Sequence, residues 1–506
     1  MTDFLYKDFM TAKNGTVIPV LADGRTVDSR YNPEKEALSC VNSVSAASGH
    51  SFFIVLGIGS ALSVRLLAQK FPESRIIALE RTRHDIDFLM RLDAVRELGA
   101  SGRIFLTDIQ GLAGTIIRTY LPAKYETPQI IEQRAWMQAN ADKTELIRDE
   151  INRAFRAVSA DYSVQAHFGK IWMHNIMGNL KILADQTQAD ETVRKIARID
   201  RKKTAVIIAA GPSLEKTLRQ VQNRREDFFV ISTDTGLKIL EKTDLTPDAV
   251  ISIDAQSIST NHFAGRALGN ALYFFDICAS SSAASHITGG GGKIVYFTSG
   301  HPMGFFASQF AKNGLPSLFS GAGTVTIAAV DLARQLGFER IRVIGADFAY
   351  SGGKAYARGT YLETLYDMRS TRLEPSEKKY DALMFRTELF LQDSGKNPGR
   401  LTTQILDAYR KSFVGYALEN QMTCDYDGDA YNLSAGKSEG VFDVCAGFDF
   451  AAFCAECRKS SKNALEIPLL PYIAYLKNRT GQSAGYEDFL NLAHSHIVSY
   501  NEDYEE

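Results

Sequence analysis

Short apolar runs in this sequence end repeatedly in residues that can hold an anion or move a proton. The run AVIIAAGPSLE at 205–215 breaks into Gly211, Pro212 and Ser213; FFVISTD at 228–234 ends in Asp234, DAVISID at 248–254 in Asp254, and RIRVIGAD at 340–347 in Asp347. In a Gly-Pro-Ser turn that opens a helix, Gly211 can take a tight or left-handed backbone, Pro212 fixes φ and Ser213 can cap the helix. Outward-pointing N–H groups at such a place suit an anion such as a nucleotide phosphate, although the segment read alone is equally an ordinary strand-to-helix turn. The loop SGAGTVT at 320–326 adds Ser320, Gly321, Gly323 and Thr324 ahead of an amphipathic run, and the Gly-rich loop 348–359 carries Tyr350, Lys354, Tyr356 and Arg358. Aspartates at such tips can accept hydrogen bonds from ribose hydroxyls or a cytosine amino group, but donate none.

Parallel strands would bring all these tips to one edge of a sheet, so the central part, about 187–440, is expected to be an α/β nucleotide domain. Residues 1–143 form a separate Rossmann-like unit: FFIVLG at 52–57 and RIIALE at 75–80 read as strands around a Gly57, Gly59 turn. That is half of a dinucleotide pattern, since Leu62 stands where a third small residue is expected. Glu80 then either grips a ribose or belongs to a scaffold that holds no cofactor. Residues 144–186 read as a helical connection, in which His174 and Asn175 either reach a ligand or are hydrogen-bonded in the core. The run CDYDGDAYNL at 424–433 looks like a calcium loop but lacks the downstream acid, and a turn followed by a strand is expected, with Asn432 and Ser434 facing the cleft. Residues 441–506 are helical again and are expected to pack domains or hold a protein acceptor.

The runs AAGPSLE, DAVISIDAQ, the long stretch GAGTVTIAAVDLARQLGFERIRVIGADFAYSGGKAYARG and, earlier, DSRYNPEKEA resemble the motility-associated factor proteins, flagellin glycosyltransferases. The resemblance covers most of the chain. It implies a Rossmann-like N-terminal domain, a central domain similar to bacterial sialyltransferases and a helical C-terminal region. The implied activity is transfer of a nonulosonic acid, such as pseudaminic or legionaminic acid, from its CMP-activated form to Ser or Thr of flagellin, with no further cofactor. The central domain is also similar to an archaeal 6-hydroxymethylpterin diphosphokinase. Two alternatives therefore stand beside it: a diphosphokinase holding Mg²⁺ between Asp234 and Asp254, and a non-catalytic flagellin-binding factor.

In sialyltransferases two tyrosines hydrogen-bond the leaving phosphate, and Tyr350 and Tyr356 are similar in placement; they otherwise anchor their loop. Asp234 and Asp254 stand where those enzymes have nucleotide-contacting Asn residues. The sialyltransferase pattern places a catalytic His after the second tyrosine, and this chain has none between His301 and His494. His301, in SGHPM at 299–303, either enters the pocket from its loop or is a structural or exposed histidine; Asp347 and Glu363 are the other candidate bases, unless the carboxylate at the end of the buried strand orients the loop instead. Lys354 and Arg358 are the cations expected to meet the sugar's carboxylate. With no paired-acid metal motif in a glycosyltransferase context, metal-independent chemistry is expected.

Composition agrees with an intracellular enzyme. The 506 residues suffice for about three domains. A net charge of −2 offers no broad attraction to nucleic acid or an acidic membrane. No apolar run approaches the ~20 residues of a membrane span, and the start lacks a signal stretch, so a cytoplasmic protein is expected. Six cysteines are too few for a disulfide framework, and Cys454 with Cys457 reads as a reduced helical pair.

Overall fold

The computed structural model describes residues 4–45, 49–186, 189–265, 270–321, 323–392, 400–436, 442–480 and 484–505. The chain is a mixed α/β protein with parallel sheets and a helical C-terminal region. It divides into two compact units, Met1–Gly169 with Leu470–Ala493, and Lys170–Leu469 with His494–Glu506. No helix of the described residues is long and apolar enough to cross a membrane.

The first unit begins with the hairpin β1 (Tyr6–Thr11) and β2 (Val17–Leu21), followed by β3 (Phe52–Leu56), β4 (Arg75–Glu80), β5 (Ile104–Asp108) and β6 (Gln129–Glu132). The last four form a parallel sheet in the order β5-β4-β3-β6. Every residue of β3 is buried, as expected for a parallel strand covered on both faces. The order reverses between β3 and β6, and ligands of doubly wound sheets lie beyond the carboxyl ends at such a point. Here the fully buried Trp136 fills the place. Its Nε1 donates to Glu80 Oε2 at 2.8 Å, while Glu80 Oε1 accepts from Ile58 N and the Tyr6 hydroxyl, both at 2.9 Å. A Cβ on Gly57 would lie 2.7 Å from the indole. Glu80 therefore spends its lone pairs on its own chain, which is the scaffold arrangement.

The second unit contains β7 (Thr204–Ile208), β8 (Phe228–Thr233), β9 (Ala249–Ser252), β10 (Leu272–Asp276), β11 (Lys293–Phe297), β12 (Arg340–Ile344), β13 (Phe390–Leu391), β14 (Leu401–Thr402), β15 (Thr423–Tyr426) and β16 (Ala430–Ser434). Its main sheet has the order β11-β10-β9-β8-β7-β12-β16-β15. Strands β7 to β12 are parallel and β15 and β16 are antiparallel additions. Alternate residues of β7 enter different cores: Ala205 and Ile207 share one with the helix Val325–Gln335, and Val206 and Ile208 share the other with Leu214 and Leu218. This is the period-two alternation of a strand sandwiched between helices.

Two asparagines of the helix Thr144–Asp185 fasten the carboxyl edge. Asn175 donates to the carbonyls of Ala255 and Cys278 and accepts from Ser281; Asn179 donates to Ile277 and Ala279 and accepts from the Tyr296 hydroxyl. Asn175 thus takes the core role. The segment 424–433 is a β-hairpin rather than a calcium loop, and it corrects the expectation for Asn432 and Ser434. Ser434 pairs opposite Arg340, at the amino end of β12, and Asn432 opposite Arg342, where it is bonded by Arg342 and donates to Asp427. Antiparallel pairing carries β16 away from the carboxyl edge as it proceeds.

Burial raises the Glu80 carboxyl from an ordinary 4.5 to about 7, against the hydrogen bonds from Ile58, Trp136 and Tyr6 that favour its charged form. Between those two values the unfolded chain has released a proton that the folded protein keeps, so this contribution to stability is full below pH 4.5 and is lost as pH rises through about 7. The shift corresponds to on the order of 3 kcal/mol. In urea titrations at pH 5 and pH 8, wild type is expected to lose roughly 2–3 kcal/mol relative to Glu80→Gln over that interval. Parallel pH responses of the two proteins would show that Glu80 is ionised in the folded state.

Candidate functional site

In the second unit the strand order reverses between β7 and β12, which brings the turn after β7 beside the loop after β12. Gly211 N donates to Gly345 O at 2.7 Å. Ser213 donates to the same carboxylate oxygen, Asp347 Oδ2, from its N–H at 3.1 Å and from its hydroxyl at 2.8 Å. The guanidinium of Arg400 stands 3.3 Å from the other oxygen, and both side chains are buried. The anion seated in the Gly-Pro-Ser turn is thus the protein's own Asp347. Burial raises the Asp347 carboxyl above its ordinary value, with Ser213 and then Arg400 pulling it down.

Two expectations about this turn are corrected. Ser213 does not cap the helix Leu214–Gln222: its backbone is already helical, with φ −65° and ψ −16°, and its hydroxyl proton goes to Asp347. Gly211 does not adopt a positive φ; it is needed because a Cβ there would sit 2.2 Å from Asp347 Oδ2 and 2.5 Å from Gly345 O. Pro212 is buried in the turn between them.

The Gly-rich loop folds back onto the same place. Phe348 takes a left-handed backbone, φ 47°, and its carbonyl accepts from the hydroxyl of Thr402. The Tyr350 main chain pairs in both directions with Leu401, and Ala357 N donates to Ala210 O at 2.8 Å. Tyr356 therefore lies next to the turn that begins at Gly211. Its phenol is pushed up from 10.0 by burial first and then by the neighbouring Tyr350 and Tyr361, so it remains a hydrogen-bond donor at neutral pH. Lys354, expected to meet a substrate carboxylate, instead holds both carboxylate oxygens of Glu215, at 2.9 and 2.7 Å. The N–H of Arg358 donates to Glu215 as well, and its side chain is exposed. Glu363 accepts from Gly359 N and pairs with Lys242.

A second group forms at the ends of β8 and β9. Asp234 accepts from the Ser252 hydroxyl at 2.7 Å and from the N–H and hydroxyl of Thr235. Asp254 accepts from Gln256 N, and burial followed by the nearby charge of Asp234 raises its carboxyl above the ordinary value. His262 belongs to the same group, and Tyr361 stands edge-on to its ring, with centroids 4.5 Å apart. The next strand repeats the theme: Asp276, at the end of β10, is fully buried and accepts from Cys278 N.

The remaining candidates lie elsewhere on the carboxyl side. Thr324 caps the helix Val325–Gln335 through Thr326 N, Ser320 O accepts the N–H groups of Gly323 and Thr324, and Gly321 and Gly323 take left-handed backbones. His301 caps the helix Pro302–Ser308 by accepting Met303 N on Nδ1 and packs edge-on against Trp172. Burial lowers its pKa to about 3. No hydrogen bond or ring contact among the described residues joins His301 to Tyr350, Tyr356 or Asp347.

Sequence reasoning missed Asp276, His262, Tyr361 and Arg400. The run LYFFD at 272–276 carries the same strand-then-acid signal as its neighbours and was there to be found. His262 follows Asp254 by eight positions in a polar stretch without periodicity, and Arg400 has no local signal at all.

The family model described as 6-hydroxymethylpterin diphosphokinase MptE-like matches residues 174–353. Two uncharacterized proteins of Treponema pallidum (strain Nichols) are similar, one 40% identical over 139 residues and the other 31% over 144. Each alignment takes in 28% of this chain, and they span 49% and 66% of those relatives' own lengths. The MAf glycosyltransferase structure from Magnetospirillum magneticum AMB-1 aligns over 98% of this chain and 86% of that one, at 12% identity and a TM-score of 0.44.

Gly211→Ala is expected to lower stability by about 1–3 kcal/mol, because neither Asp347 nor the Gly345 carbonyl can retreat without opening the turn. Gly415→Ala, inside the helix Gln404–Glu419 where a Cβ meets nothing within 4 Å, is the control and should be neutral or stabilising by up to about 1 kcal/mol. Chemical denaturation of the two variants checks both signs.

Proposed function

We propose that the second unit is a nucleotide-sugar transferase that moves a nonulosonic acid from its CMP-activated form to a Ser or Thr hydroxyl of flagellin. The observation that carries this reading is the convergence, where the strand order reverses between β7 and β12, of the Ser213 turn with the loop bearing Tyr350 and Tyr356. That is the ligand-binding location of open α/β sheets. The choice of sugar and acceptor rests on the family resemblance of the sequence runs that build this edge.

Each group has a task that its surroundings suit. The Tyr356 phenol, held protonated by burial, donates to the phosphate oxygen that gains charge as the glycosidic bond breaks. Tyr350, fixed by its main-chain pairing with Leu401, supplies the second donor. Asp234 and Asp254 accept from ribose hydroxyls or the cytosine amino group. Asp347 organises the two loops: its Oδ2 receives both Ser213 hydrogen bonds and its Oδ1 faces Arg400.

A second reading is favoured by the family-model match over residues 174–353: a diphosphokinase using ATP and Mg²⁺. Calorimetric titration of the whole chain with CMP, and separately with ATP plus Mg²⁺, separates the two. The expected result is saturable CMP binding with no preference for ATP and Mg²⁺. Tyr356→Phe should keep CMP affinity within about tenfold while slowing CMP release from a CMP-linked nonulosonic acid by about ten- to a hundredfold, the worth of one hydrogen bond to a charged oxygen. Preference for ATP with Mg²⁺ would establish the diphosphokinase reading instead, and absence of any nucleotide binding would leave a flagellin-binding factor.

A further inference from the structure

We propose that His262 is the general base of the transfer, taking the proton of the acceptor hydroxyl at the carboxyl edge beside Asp254 and Tyr361. The inference rests on the transferase reading above and supplies the proton acceptor which that reading lacks. His301 caps a helix through Nδ1 and packs against Trp172, away from the tyrosines, and Asp347 lies between Ser213 on Oδ2 and Arg400 on Oδ1.

His262 lies in the short helix Thr260–Phe263, only 6% exposed, and its Nδ1 is buried with no hydrogen-bond partner among the described residues. His301 also leaves one buried nitrogen, Nε2, without a partner, but its Nδ1 is engaged by Met303 N and burial alone acts on it, whereas His262 has Asp234 and Asp254 beside it. Tyr361 fixes the ring plane by an edge-on contact at 4.5 Å and 88°. Groups from several elements face it: Asp234 and Lys238 of the helix Asp234–Leu240, Asp254 of the loop after β9, and Tyr361 of the helix Tyr361–Met368. From the helix Ser281–Gly289, which packs on the same short helix, His286 reaches the carbonyl of Gly265.

These surroundings decide both its resting state and its fate on protonation. Burial is the largest influence and lowers the pKa below the ordinary 6.5; Asp234 and Asp254 oppose it, and Lys238 adds to it. The resting ring is therefore neutral at pH 7 and can accept a proton. Once protonated, the imidazolium lies beside two carboxylates that stabilise it. In the step itself the acceptor oxygen forms a bond to the anomeric carbon and the bond from that carbon to the phosphate oxygen breaks. CMP leaves with the electron pair, and the hydroxyl proton passes to the unprotonated ring nitrogen of His262. Atoms and charge balance without metal or oxidant.

The test measures CMP release from CMP-pseudaminic and CMP-legionaminic acid, with flagellin as acceptor, by wild type, His262→Gln and His262→Ala. The expected result is a fall in kcat of about 10²- to 10³-fold for both variants, with donor KM and CMP affinity unchanged within about twofold. Wild-type activity should rise with pH along an acid limb below 6.5 that is absent from His262→Gln. Free imidazole should restore part of the activity of His262→Ala, which loss of a purely structural residue would not permit. Melting temperatures of the variants guard against misfolding. Wild-type kcat and an intact acid limb in His262→Gln, or no imidazole rescue of a folded His262→Ala, would overturn the assignment. Failure of wild type to bind CMP would overturn the transferase reading itself, before His262 comes into question.

Discussion

The carboxylate of Asp347 holds together the turn and the loop at the carboxyl edge of the second unit's sheet. It receives two hydrogen bonds from Ser213, one from main chain and one from hydroxyl, and faces Arg400 on its other side. These partners come from the turn after β7 and from the residue just before β14, so one buried acid joins three separate parts of the chain. Charge-assisted hydrogen bonds of this kind are stronger than neutral ones, and breaking one partner leaves the others buried and unsatisfied. The close approach requires Gly211, and it places Tyr356 beside the turn through Ala357 and Ala210. The start of the helix Leu214–Gln222 lies against that contact, while Tyr350 is held by its own main-chain pairing with Leu401.

The first unit uses the same physical device to a different end. Glu80 stands at the carboxyl end of β4 and takes hydrogen bonds from Ile58, Tyr6 and Trp136. There the indole occupies the place where the strand order reverses, and the carboxyl serves as a hub for packing. In the second unit the corresponding place is bordered by the Ser213 turn and by the loop that carries Tyr350 and Tyr356. Two sheets of related design thus differ in whether the crevice is filled by a large side chain or bordered by small turns.

Along the edge of the second sheet, acids recur at the ends of β8, β9, β10 and β12 as Asp234, Asp254, Asp276 and Asp347. Their environments separate their roles. Asp276 and Asp347 are deeply buried and hold backbone or hydroxyl donors, whereas Asp254 is more open and shares its field with Asp234 and His262. Carboxylates so near one another cannot all be charged at low cost, and burial with mutual repulsion raises Asp254. The asparagines Asn175 and Asn179 keep this edge in place by satisfying the carbonyls of Ala255 and of 277–279, which would otherwise be stranded.

The amino-acid sequence by itself determined the local elements. The β-branched runs that become β3, β4, β7, β8, β9 and β12 are legible because parallel strands buried on both faces must be apolar throughout, and the acids at their tips are legible because the runs stop there. The need for glycine at position 211 was visible too, although its cause was close approach rather than a left-handed backbone. Tertiary structure alone decided which groups meet. Ser213 and Asp347 are 134 positions apart, and nothing local tells Ser213 to give its hydroxyl to an acid instead of capping its helix. The pairing of Lys354 with Glu215, the filling of the first crevice by Trp136 and the placement of His262 among Asp234, Asp254 and Tyr361 were equally hidden. Hydrophobic periodicity fixes elements over a few residues, whereas the partners of a buried polar group depend on strand order and on crossover connections spanning the whole unit.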